Sequence, residues 1–388
     1  MHRTPARTLV LGDVHLTREA PAALVNDLAR FFTANRGARI LLTGDVLDLS
    51  ADAPHLDAAY AHEKLLAHPA LTKAIAEHLD HEGEIFWTAG NHDSAVGAPG
   101  FAQRLGNALG IGAEARSRLH ASPWFFRLGD LHLEHGHRFD PDNAPAHPLV
   151  PDGASLGVHF VEEFIVPTGA HAYLNSNDGT PLKLFLSSFV WYGVRAPHVI
   201  ARFFMTAASA LEKSGEAFDA VGQIDEGSKK QADFAAEHEL EAAVVEALRE
   251  IGAEPTLAST RNTFSRLYLD RVAATLAIAG GSTAFVLGAR VVGSLAVVVG
   301  GALMATSWAR GHDRYGGAVT ERLERGAHEI SALTGHPLVV FGHTHRQKIS
   351  GAYANPGSFA FVRGAPGRPY LEIENRNGAS VAVERTFT

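Results

Sequence analysis

Short apolar runs of strand length recur along this chain, and each stops at a polar ending next to a glycine. Residues 8–11 run into Gly12-Asp13-Val14-His15, and residues 39–43 into Gly44-Asp45-Val46-Leu47-Asp48. Residues 84–88 lead to Gly90-Asn91-His92-Asp93, and residues 337–341 to Gly342-His343-Thr344-His345. Residues 124–128 and 130–134 read as a hairpin about Gly129 whose second strand ends at His135-Gly136-His137. Between these runs the period lengthens. Residues 21–35 place Leu24, Leu28, Phe31 and Phe32 on one helical face, and residues 58–81 and 318–334 also read as helices. A β-α-β-α-β start predicts an α/β sheet with helices on its faces. A turn at 355–358 and strands near 358–362, 370–374 and 380–385 close the chain.

The middle has a different texture. Residues 141–181 are rich in Pro, Gly, His and Asn and predict a long ordered loop with short elements. Residues 182–211 are apolar and aromatic, 215–230 polar, and 231–251 predict one charged helix. Residues 272–289 and 291–309 carry no charge, and Arg290 alone divides them. Each run is about 27 Å long as a helix, close to the hydrocarbon thickness of a bilayer. Their many glycines permit close helix contact, and the flanking arginines predict that both ends face the cytoplasm. A buried helical hairpin or an oligomer contact is the other reading; a membrane hairpin at 272–309 is preferred. The expected organisation is one discontinuous α/β domain, residues 1–140 and 335–388, interrupted by a mainly helical insertion at 141–334.

Composition narrows the chemistry. Of 388 residues 46% are hydrophobic and 20% charged, which predicts a folded chain. A net charge of −8 offers no general attraction to nucleic acid. With no cysteine, disulfides and thiolate metal sites are excluded, and any metal needs His, Asp, Glu or Asn, a set suited to Mn, Fe, Zn or Mg. No apolar signal run precedes residue 8, so the expected location is cytoplasmic, at the inner face of the cytoplasmic membrane.

The polar endings carry the chemistry. Open α/β sheets place their sites at the carboxyl ends of strands, and residues two apart in extended chain share a face. Asp13, His15, Asp45, Asn91, His135, His343 and His345 supply oxygen and nitrogen donors on five strand ends. Two neighbouring metal ions need such a set, with one carboxylate between them, for in-line phosphoryl displacement.

This order of motifs over residues 8–139 and 337–384 resembles the calcineurin-like metallophosphoesterases. The resemblance implies a two-sheet α/β/β/α sandwich and a phosphoric ester or diphosphate hydrolase with two divalent ions, Mn foremost. Asp13, His15 and His345 would hold the first, Asn91, His135 and His343 the second, and Asp45 would bridge. His92 would act on the phosphate as acid or electrostatic stabiliser, with Asp93 orienting it and Asp48 supporting the turn after Asp45. His137 stands where many members have Asp and reads as a turn residue; His132 reads as a packing or surface residue on the opposite face. Gly-Asp-Val-His-Leu, and the sequence from Gly-Asn-His-Asp to residue 106, also resemble UDP-2,3-diacylglucosamine diphosphatases, which place a helical cap between the fourth and fifth motifs. The insertion here is longer, and those enzymes commonly have Arg at the position of His92. The leading expectation is hydrolysis of a lipid-linked phosphorylated substrate at the membrane. A soluble nucleotide phosphatase with the hairpin as an oligomer contact comes second, and a non-catalytic scaffold last. No feature specifies an oligomeric state.

Overall fold

Alternation in the short runs sorts each strand's side chains onto two faces. In β1 (Thr8–Leu11), Leu9 and Leu11 enter one core and Val10 another; in β2 (Arg39–Leu42), Ile40 and Leu42 part from Leu41 in the same way. The computed structural model describes residues 7–52, 61–150, 155–173, 181–309, 318–361 and 366–388. It joins β1 and β2 to β3 (Glu84–Thr88) and β4 (Leu119–Ser122) in parallel. On the other side of β1 lie antiparallel β10 (Arg368–Arg376) and β11 (Ala379–Phe387), giving the order β11-β10-β1-β2-β3-β4. A second sheet runs β5-β6-β7-β9-β8. Its members are β5 (Phe125–Leu128), β6 (Leu131–Glu134), β7 (Leu338–Val340), β8 (Lys348–Ser350) and β9 (Tyr353–Asn355), with β6, β7 and β9 parallel.

Three apolar layers hold these sheets. Val10, Leu41, Leu131, Leu133, Leu338 and Val340 fill the space between them. Helices Ala22–Ala34 and Pro69–Asp80 cover the first sheet with Leu28, Phe31, Phe32, Leu71 and Leu79. On the outer face of the second sheet, Val339 and Phe341 meet Phe234, Leu248 and Leu323 from helices Ala220–Glu237, Ala242–Glu250 and Ala318–Thr334. Helix Ala22–Ala34 has no side-chain cap at its start. That omission costs about 1 kcal/mol, less than the roughly 2 kcal/mol that burying either Phe31 or Phe32 contributes. The fold is the expected α/β/β/α sandwich with a helical insertion.

Some expectations need correction. Residues 359–361 are bends and Ser358 lies in no strand; the strand lies before the turn, in β9, and residue 362 is outside the described residues. Residues 231–251 are not one helix, because Glu239 adopts a left-handed backbone (φ 53°) between Ala220–Glu237 and Ala242–Glu250. The proposed helix at 58–81 is seen as His62–Leu66 and Pro69–Asp80, and its first residues lie outside the described ones.

The chain divides into two units. The first comprises 1–158, 220–255 and 319–388; the second comprises 159–219 and 256–318. In the second unit, helices Leu269–Val286 and Arg290–Ala309 form an antiparallel hairpin turning at Gly288 (φ 98°). Small residues make its seam: a Cβ on Gly281 would stand 2.8 Å from Ala296 Cβ, and one on Gly300 would stand 2.9 Å from Ala274 O. The large side chains point away, with Val286 and Val291 each 82% exposed and Val298 67%. At the open end the Arg271 guanidinium lies over Tyr268 and Trp308 and donates to Ser307 Oγ at 3.0 Å. Among the described residues one helix, Arg290–Ala309, is long and apolar enough to cross a membrane.

Acid stability of the first unit should depend on His78. Burial lowers its pKa from 6.5 to about 4. The unfolded chain therefore takes up the proton first, so this contribution is whole above pH 6.5 and is lost as pH falls from 6.5 toward 4. Thermal midpoints measured at pH 7 and pH 5 should fall less in His78→Leu than in the parent; equal falls would contradict the assignment.

Candidate metal centre

Each motif leaves its strand through a backbone conformation that costs energy. Asp13 (φ 52°), His15 (49°), Asp45 (51°), His343 (70°) and His345 (55°) are all left-handed. Each such non-glycine residue costs about 1 kcal/mol or more, and clusters of them mark functional sites. Hydrogen bonds hold the loops there. Val14 and His15 donate backbone N–H to Asp45 O at 2.9 Å, His343 N–H to the Asp13 carboxylate at 3.1 Å, and Ser358 Oγ to Asp13 O at 2.7 Å. Gly90 must be glycine, because a Cβ there would overlap Asp45 Oδ1.

The loops bring all seven expected donors to the carboxyl ends of β1, β2, β3, β6 and β7. His135 donates Nδ1–H to Thr43 O at 2.6 Å, which turns Nε2 inward. That atom lies 3.1 Å from Asn91 Oδ1 and 3.2 Å from Asp45 Oδ2, and His343 completes the group. In a second group, His345 Nε2 lies 3.1 Å from His15 Nε2 and 3.4 Å from Asp13 Oδ1. His15 Nε2 is 4.0 Å from the same Asp45 Oδ2. Adjacent ligands around a divalent ion with bonds near 2.1 Å stand about 3 Å apart, so the donors fit such ions. Two imidazole nitrogens face to face, beside carboxylates, are what a cation site requires and a packed core would avoid.

Residues 6–184 match the family described as calcineurin-like phosphoesterase. The chain carries a calcineurin-like phosphoesterase domain. It is a metal-dependent hydrolase of phosphoesters. The matched stretch contains Asp13, His15, Asp45, Asn91 and His135 and ends before β7, which supplies His343 and His345. No curated protein and no solved structure matches the chain.

In this phosphoesterase Asp93 does not take the part expected of it, and Asp48 does more than support its turn, where its Oδ1 accepts Ala51 N–H at 3.0 Å. Asp93 does not reach the His92 ring. Its carboxylate accepts N–H from Asp45 (3.0 Å), Gly90 (2.7 Å), Val46 (2.9 Å), Leu47 (3.3 Å) and Trp87 Nε1 (3.3 Å), and so builds the turn that presents Asp45. Asp48 orients His92 instead: its Oδ1 accepts Nδ1–H at 3.1 Å, with Ser50 Oγ 2.9 Å from the same nitrogen. The sequence hid this because Asp93 is adjacent in the chain, whereas Asp48 approaches across the sheet. Burial works to lower the His92 pKa, but Asp48 and Asp45 raise it to about 10; positive charge near Asp45 opposes that rise. Burial would raise the Asp45 pKa, and His135 and His92 hold it well below the usual range. Asp48→Ala should lower kcat/KM by about 10- to 100-fold. Unchanged kinetics would contradict the orienting part assigned to Asp48.

The remaining histidines are placed as follows. Half-buried His137 begins the turn after His135, with ring centroids 5.2 Å apart. Burial, then His135 and His343, lower its pKa to about 3, so it is neutral at neutral pH. His132 lies buried on the opposite face of β6, 3.0 Å from Glu134, whose other oxygen accepts from Arg138 at 2.8 Å. Asp140 and Asn143 also reach the centre, and sequence reasoning missed them. They follow the last motif of β6 in a stretch with no periodicity, and a short Asp-x-x-Asn spacing is their single local signal.

Proposed function

We propose that this chain is a two-metal phosphohydrolase, tethered to a membrane, that cleaves a phosphoester or diphosphate bond in a lipid-linked substrate. The observation that carries the two-metal reading is the placement of Asp45 Oδ2 at the edge of both donor groups. Two divalent ions, Mn foremost, would supply an activated water and neutralise charge on the phosphoryl group. Asp13, His15, Asp45 and His345 would hold one, and Asp45, Asn91, His135 and His343 the other. His92 keeps its Nδ1 on Asp48, so Nε2 is the atom left to meet the phosphate or to give a proton to the leaving oxygen. Asp93 acts through the turn it builds.

The membrane reading rests on the hairpin. A water-soluble helical pair buries its large apolar residues and exposes small or polar ones; this pair does the reverse, the arrangement suited to lipid. Eighteen and twenty residues give helices of about 27 and 30 Å, and exposed Trp308 stands with Arg271 at one end as interfacial anchors do. Substrate preference tests this directly. With Mn, the purified chain should hydrolyse a lipid-linked diphosphate in mixed micelles with a higher kcat/KM than any soluble nucleotide. The reverse preference would favour a nucleotide phosphatase that uses the hairpin as an oligomer contact.

A further inference from the structure

Asp140 and Asn143 belong to neither donor group, yet they join two members of one. His343 Nε2 lies 3.0 Å from Asp140 Oδ2. An ionised carboxylate only accepts hydrogen bonds, so this contact places the imidazole proton on Nε2 and leaves the lone pair of Nδ1 for a cation. Asn91 meets a parallel constraint. Its Nδ2 donates to Asn143 Oδ1 at 3.1 Å, which fixes the amide so that Oδ1 faces His135 Nε2. An amide nitrogen has no lone pair to give a metal, so a flipped Asn91 would remove one ligand. The two constraints are tied together, since Asn143 Nδ2 donates to Asp140 Oδ2 at 2.7 Å.

The pair is itself held in place. Asp142 N–H donates to Asp140 Oδ1 at 3.2 Å, and Ala144 N–H to Asp140 O at 2.7 Å. Gly157 lies so close to Asn143 that a Cβ there would overlap the amide oxygen. The chain His343–Asp140–Asn143–Asn91 thus runs from one expected ligand to another through groups that the packing positions.

The geometry points to Asp140 and Asn143 as positioning residues that select the ligand atoms of the Asn91, His135 and His343 site. This rests on the two-metal reading above. Carboxylates that accept from a ligating imidazole fix its ring and raise its basicity, and losing them typically weakens metal binding about 10- to 100-fold. Asp140 occupies that position for His343. Asn143 does the corresponding work for an amide ligand, where the choice lies between two atoms and not between two tautomers.

Calorimetric titration of the full chain with Mn separates the possibilities, together with paramagnetic resonance of the loaded protein. The wild-type chain should bind two Mn and give the signal of a coupled pair. Asp140→Ala and Asn143→Ala should each weaken one of the two Mn about 10- to 100-fold, leave the other unchanged, and show isolated Mn where the parent shows the pair. Asp140→Asn keeps an oxygen for both donors and should retain most of the binding. Equal weakening of both ions, or wild-type binding in alanine variants that melt normally, would overturn the positioning role while leaving the two-metal reading intact. A wild-type chain that binds no Mn would overturn both.

Discussion

Asp45→Asn should lower hydrolysis of an aryl phosphodiester by about 10³-fold or more, without unfolding the protein. Asparagine tolerates left-handed backbone, so the turn at Asp45 (φ 51°) survives the change. The retained carbonyl can still accept the His92 N–H that Asp45 Oδ1 now accepts at 2.8 Å. What disappears is Oδ2, the atom near both His135 Nε2 and His15 Nε2. In its place an NH₂ would face His135 Nε2, and no ligand would be shared. Fully buried Asp45 bears a desolvation cost that the amide lacks, but its pairing with His135 and His92 outweighs that cost, so the metal-free variant should still fold and melt below the parent. A variant within about tenfold of wild-type kcat/KM would remove Asp45 from the centre.

Deleting residues 272–309 should move the protein from the membrane fraction to the soluble one. Val286, Leu287, Val291, Val292, Leu295 and Val298 are each more than 60% exposed. Each gains about 1 kcal/mol or more on leaving water, so partition should respond by orders of magnitude. Metal-dependent hydrolysis of a soluble aryl phosphodiester should survive the deletion, because the donor residues all belong to the first unit. Release of the intact chain by buffer without detergent would contradict the anchor, and its oligomeric state would then be the quantity to measure.

The strand endings were legible because each strand must expose its last side chains where its sheet stops. A donor next to a glycine there can be recognised one motif at a time. The two-sheet layer order was implied by the family resemblance, and the parting of Leu9 and Leu11 from Val10 into two cores agrees with it. Partners chosen across the sheet were not. Nothing local distinguishes Asp48 from Asp93, and only the approach of β2 to β3 places Asp48 on the His92 ring. Asp140 and Asn143 lie in an aperiodic stretch whose conformation depends on Gly157 and on the turn after His135. Residues 231–251 read as one charged helix, but which sheet face helices Ala220–Glu237 and Ala242–Glu250 cover depends on Phe234 and Leu248 entering one core with Phe341, far away in the sequence. The break at Glu239 had no Gly or Pro to announce it.

Activity followed against metal content tests the central claim most directly. The full chain, stripped with chelator and dialysed, is titrated with Mn while hydrolysis of bis(p-nitrophenyl) phosphate is recorded. Two bound ions on one shared carboxylate predict no hydrolysis in the stripped protein and a rise that reaches its plateau at two equivalents per chain. Hydrolysis that persists after stripping, or never appears at any metal content, would contradict it.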